Sequence, residues 1–240
     1  MGTRNVTAVV LDGEYRIAQY CQWDGYPEGQ GSEVLDFLTN KMDMERFKEA
    51  LRETRWVTDE EHTKLWEGFG ADGSGFVSMD ISNAFKEVHP QLDRDMGAKV
   101  LEFVQEQADP VMLNDSIDFA KDGLFCEWAY VIDLDKGVLE VYSGFGQEAQ
   151  PEGSRFGSEV AENGYAAVGL VKIYDLDNLP EEERFIKELT DDEDVLTEDN
   201  VNYVLSTLRQ RSDDVETVNH IANYIEANID DFLEAVNRSD

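Results

Sequence analysis

Two β-rich, largely apolar runs make up VTAVVLDGEYRIAQYCQW (6–23), interrupted once at Asp12-Gly13. An Asp-Gly pair between two such strand-like runs predicts a two-residue hairpin turn. Apolar residues fall on both faces: Val9, Leu11 and Ile17 on one, Ala8, Val10 and Ala18 on the other. The hairpin is therefore expected to be covered on two sides, as in a layered α+β domain. From 31 to 107 the spacing turns helical through SEVLDFL, MERFKEALRE, DEEHTKLWEGF, ISNAFKEV and RDMGAKVLEFVQEQ. Ser32 is the expected N-cap of the first helix, and Pro90 separates the last two. Alternation is clear in CEWAYVIDLDKGVLEVYSGF (126–145), where Trp128, Tyr130, Ile132 and Leu134 share a face and Asp135-Lys136-Gly137 supplies the turn. AAVGLVKIYDL (166–176) reads as a fifth strand. Beyond Pro180 the pattern is helical again, and Val218, Ile221, Ile225, Ile229, Phe232 and Val236 form an apolar stripe.

The order ββ, helices, βββ, helices predicts an α+β fold, with an antiparallel sheet built from two hairpins plus a fifth strand. A core domain is expected over 1–180, with a helix-rich insertion at 31–107, followed by an acidic helical extension at 181–240. At 41% hydrophobic and 10% aromatic residues the chain can build a core. No apolar run approaches the roughly 20 residues that span a bilayer. The start MGTRNVTAVVLDG lacks a secretory h-region, and Cys21 and Cys126 stand far apart in sequence. A cytoplasmic protein is expected, in the host cytoplasm if phage-encoded, with neither membrane nor cofactor involved.

Charge changes the picture. The chain holds 53 acids against 20 bases, a net −33, and 181–240 alone holds 18 acids and 5 bases. Affinity for phosphate comes from basic side chains that release counterions, so direct nucleic-acid binding is disfavoured. A basic partner, or a salt-rich habitat, is favoured. The acids of DDEDVLTED, namely Asp191, Asp192, Glu193, Asp194, Glu198 and Asp199, are the candidate partner-binding residues. The stripe that follows them is a docking face, either for a core or for a second copy.

Candidate chemistry is sparse. GADGSGFVSMDI (70–81) resembles a calcium-binding EF-hand loop at Asp72 and Ser74. Gly70 and Ile81 stand where the first and last carboxylates belong, so a helix–helix turn is the better reading. Cys21 is a candidate nucleophile, read more simply as a small buried residue. Thr3, at the start of the first strand, has the position of an N-terminal nucleophile, although removal of Met1 would expose Gly2. Arg4 is expected to pair with a carboxylate. YCQWDGYPEGQG (20–31) supports two readings. One is a packed turn with Trp23 in the core, Tyr26 bonded to backbone and Asp24 capping its own loop. The other is a polar, aromatic binding wall beside a helix N-terminus.

The Thr3-Arg4 start, the Cys21-Gln22-Trp23-Asp24-Gly25-Tyr26-Pro27 turn and the Glu127-Trp128-Ala129-Tyr130 hairpin resemble a family of uncharacterised phage, bacterial and fungal proteins. The likeness covers about residues 2–180 and leaves the acidic tail outside. It implies no activity, only a shared set of positions: Thr3, Arg4, Gln22, Trp23, Asp24, Tyr26, Glu127, Trp128 and Tyr130. The leading expectation is an acidic, non-catalytic interaction protein, such as a phage-encoded inhibitor that occupies the basic nucleic-acid-binding surface of a host protein. The alternatives are a ligand-binding protein or N-terminal-nucleophile-like hydrolase with its site at those positions, and a salt-adapted acidic domain.

Overall fold

The computed structural model describes residues 2–72, 77–190, 201, 205, 222–225 and 227–229. The chain divides into two compact units, Met1–Thr190 and Asp191–Asp240.

Strands β1 (Asn5–Leu11) and β2 (Glu14–Cys21) pair antiparallel around Asp12-Gly13. Both turn residues are left-handed, at φ 56° and 77°, which is why this dipeptide stands there. The insertion follows. Helix α1 (Ser32–Asp36) is flanked by π-helical turns at Pro27–Gly31 and Phe37–Lys41. Ser32 is thus not the N-cap: the helical path already begins at Pro27, and the Ser32 hydroxyl donates to the Pro27 carbonyl at 3.1 Å. Next come α2 (Met44–Arg52), the short β3 (Arg55–Trp56), α3 (Asp59–Gly68), α4 (Met79–Val88) and α5 (Lys99–Glu106). Thr58 and Glu61 close a reciprocal capping box on α3, and Ser78 caps α4. The two-residue β4 (Met112–Leu113) runs parallel to β3.

β5 (Trp128–Asp133), β6 (Val138–Ser143) and β7 (Gly169–Asp175) complete the main sheet, and α6 (Glu182–Thr190) closes the first unit. The α+β class holds, as do the two hairpins and the fifth strand. The sheet order is β2-β1-β5-β6-β7, and β1 and β5 pair parallel, so the sheet is mixed rather than wholly antiparallel. The insertion acts as the long crossover that a parallel neighbour requires.

Both sheet faces are covered. On one, Val9, Leu11, Ile17, Tyr130, Ile132 and Leu134 pack with Val34, Phe37, Phe47 and Leu101 of the insertion and Phe185 of α6. On the other, Val6, Ala8, Val10, Ala129, Val131 and Tyr142 lie under Ala120, Phe156, Ala167 and Val168. Helices cover the first face and irregular chain the second. Burial of Phe185 and Leu189 ties α6 to this core. In the second unit Val201, Leu205 and Ala222 are buried, with Ile225 and Ile229 packed against them. Two residues of the apolar stripe therefore serve that unit's own core. The six acids of 191–199 named above lie outside the described residues.

Candidate functional site: an aromatic rim at one end of the sheet

The start of β1 organises this end of the sheet. Thr3 is buried, and its carbonyl accepts the Gly25 N–H at 3.0 Å. The Arg4 carbonyl accepts the Glu127 N–H at 2.9 Å, and the Arg4 N–H donates to Glu127 Oε1 at 3.3 Å. The Arg4 side chain forms the expected ion pair, Nη2 to Glu127 Oε1 at 3.3 Å, and its guanidinium lies 5.0 Å from the Phe125 ring centroid. Arg4 Nε is buried and has no hydrogen-bond partner, and the same holds for Asn5 Oδ1.

The YCQWDGYPEGQG turn is held from within. Asp24 adopts φ 55°, and its carbonyl accepts the Gln30 N–H at 2.8 Å. The Gln30 side chain in turn accepts the Ala98 N–H at 2.7 Å, which ties the turn to α5. A Cβ on Gly29 would come within 2.2 Å of the Asp24 carbonyl oxygen, and one on Gly2 within 2.4 Å of the Trp23 ring. Glycine is required at both by close approach. The tyrosine that bonds to backbone is Tyr130, whose hydroxyl donates to the Gly25 carbonyl at 2.8 Å. Tyr130 is fully buried, so it holds the turn from beneath and is not a surface ligand residue. Trp128 stacks beside it, its ring plane 7° from that of Tyr130. The packed-turn reading places Trp23 in the core and bonds Tyr26 to backbone; instead both face outward, Trp23 48% and Tyr26 52% exposed. Asp24 is exposed as well, and Gln22 accepts from Tyr20 and Arg94 through Oε1.

Two further aromatics complete the rim. Phe125, 46% exposed, precedes β5, and Phe145, 53% exposed, follows β6. Phe145 sits at φ 67° between Gly144 and Gly146. A bulky side chain rarely takes that conformation, which costs roughly 1–2 kcal/mol. It is locked there by its N–H donating to the Gly123 carbonyl at 2.7 Å, in the turn that also carries Phe125. Because the sheet runs β2-β1-β5-β6, the order across its end is Trp23 and Tyr26, then Arg4, then Phe125 and Glu127, then Phe145. Neither phenylalanine stands out in the sequence; the pair of glycines around Phe145 is the one local signal.

The other candidates lie elsewhere. Cys21 is buried with its thiol donating to the Trp23 carbonyl at 3.4 Å, and burial pushes its pKa up. Cys126 is buried and shifted the same way by the same cause. Both thiols are held as the poor nucleophile. Asp72 is exposed before α4, Ser74 lies outside the described residues, and no group of three metal-ligating side chains occurs among the described residues.

An ionic cluster that the sequence reading missed sits on the second sheet face. Arg155 donates through Nε to Glu140 at 2.5 Å and through Nη2 to Asp133 at 2.6 Å. Lys136 reaches Glu140 at 3.1 Å, and the Tyr142 hydroxyl reaches it at 2.6 Å. Burial alone would raise the Glu140 pKa; Arg155 and Tyr142 together outweigh it and hold the carboxyl below its ordinary value. Two acids and two bases neutralise one another, so the cluster fastens the 144–168 segment to the sheet and presents no spare charge.

The same economy holds across the first unit. Every lysine and arginine there except Lys48 and Lys187 has a carboxylate partner among the described residues. Surface pairs of this kind contribute little stability, but they occupy the cations. Comparison with protein-family models, curated proteins and solved structures returns no match for this chain. No helix among the described residues is long and apolar enough to cross a membrane.

Proposed function

We propose that the protein is a non-catalytic interaction protein that binds a positively charged face of another protein, of the kind that otherwise holds nucleic acid. The observation that carries this reading is the pairing pattern joined to the net charge. All but two of the first unit's lysines and arginines are spent on internal ion pairs, while over the full sequence the acids outnumber the bases 53 to 20. What the first unit offers to solvent is therefore unbalanced carboxylate, the charge that a basic surface seeks.

Affinity capture on the purified chain tests this. Retained partners should be basic and should elute within a few hundred millimolar NaCl, because exposed charge attraction is screened on that scale. Retention of acidic proteins, or of partners indifferent to 1 M salt, contradicts the proposal.

A further inference from the structure

The rim offers a more specific inference, which rests on the basic-partner reading. We infer that Trp23, Tyr26, Phe125 and Phe145 form the contact surface for arginine side chains of that partner, presented on an extended segment.

Three observations converge. Four large aromatics, each near half-exposed, share one end of the sheet. One of them, Phe145, is held in a left-handed backbone where phenylalanine is disfavoured and a glycine would sit without strain. The Gly123 hydrogen bond accounts for the backbone there, but a half-exposed aromatic ring on it has no folding rationale. Finally, Phe125 already carries a guanidinium, that of Arg4, 5.0 Å from its centroid, so this end of the sheet is built to accept that group on a ring face.

The local charge agrees. The charged side chains of these turns are Asp24, Glu28, Asp122, Arg4 and Glu127; Arg4 is neutralised by Glu127, and the adjacent Lys121 by Asp118. Arg94, which reaches Gln22, lies against Asp95. Carboxylate is left in excess beside exposed rings, the combination that recognises a cation. Arginine fits better than lysine, because a planar guanidinium stacks on a ring while still donating to carboxylates. Four neighbouring strand ends span roughly 15 Å, and same-side residues of an extended chain repeat about every 7 Å. The rim therefore has room for two to three alternate side chains.

Calorimetric titration of the full chain with three twelve-residue peptides, alternating Arg-Ser, Lys-Ser and Glu-Ser, tests the inference at 50 mM NaCl. The Arg-Ser peptide should bind most tightly, the Lys-Ser peptide more weakly, and the Glu-Ser peptide not at all. Phe125→Leu and Phe145→Leu keep apolar bulk but remove the ring, and each should weaken Arg-Ser binding about two- to fivefold. Phe145→Gly relieves the backbone and should weaken binding while leaving the melting temperature unchanged or higher, so lost binding cannot be ascribed to lost folding. If Arg-Ser binds the wild type but all three variants match it, the rim is not the contact surface and the basic-partner reading stands alone. If no cationic peptide binds the wild type at low salt, both readings fall.

Discussion

Phe145 and Tyr130 show how far side-chain identity departs from side-chain role. Both are aromatics of the second hairpin, Tyr130 inside β5 and Phe145 just past β6, yet one is strained outward and the other is buried to hold a turn. Replacing Tyr130 with Phe leaves the Gly25 carbonyl without its 2.8 Å donor and should cost about 1–3 kcal/mol in denaturant unfolding. Gly29→Ala drives a Cβ toward the Asp24 carbonyl and should cost a similar amount, about 1–3 kcal/mol. Phe145→Gly should cost nothing and should raise stability if strain relief outweighs added chain entropy. Sequence identified the 20–31 turn as a built feature because glycine, proline and Asp-Gly have local geometric meaning. It could not tell which way Trp23 and Tyr26 face, since a turn of that composition is compatible with either. The deciding contacts come from Thr3, Ala98 and Tyr130, distant along the chain.

At the level of elements, the hairpins were legible and their neighbours were not. Asp12-Gly13 sets its own backbone angles and so announces β1–β2 from sequence. The parallel join of β1 to β5 depends on a crossover of roughly one hundred residues, which no local signal encodes. The Arg155 cluster was hidden for the same reason: Arg155 stands in a polar stretch and meets Glu140 and Asp133 only after folding. Arg155→Met leaves two buried carboxylates sharing the single cation Lys136 and should destabilise by about 3 kcal/mol. The pH dependence has a defined sign. The folded Glu140 and Asp133 pKa values are lowered, burial opposing and Arg155 prevailing. Their stabilisation is full above the ordinary carboxylate range, about pH 4–4.5, and is lost as pH falls through the lower folded values. Melting curves from pH 7 to pH 2 should show this acid loss in the wild type and a shallower one in Arg155→Met.

For the whole molecule the governing quantity is the net −33. Self-repulsion on that scale should make the melting temperature at pH 7 rise with NaCl between about 20 and 500 mM as the charges are screened. Folding at the low end of that range is expected, because both sheet faces are covered by apolar layers and all but two of the first unit's cations are paired. A chain that folds only in molar salt would instead carry its acidity as an adaptation to habitat. The most direct test of the central claim is competition between the chain and a short DNA duplex for a captured basic partner, followed by fluorescence anisotropy of labelled duplex. Release of the duplex as the chain is added, at stoichiometric concentrations and reversed by salt, is the predicted result. A stable ternary complex of chain, partner and duplex would contradict it.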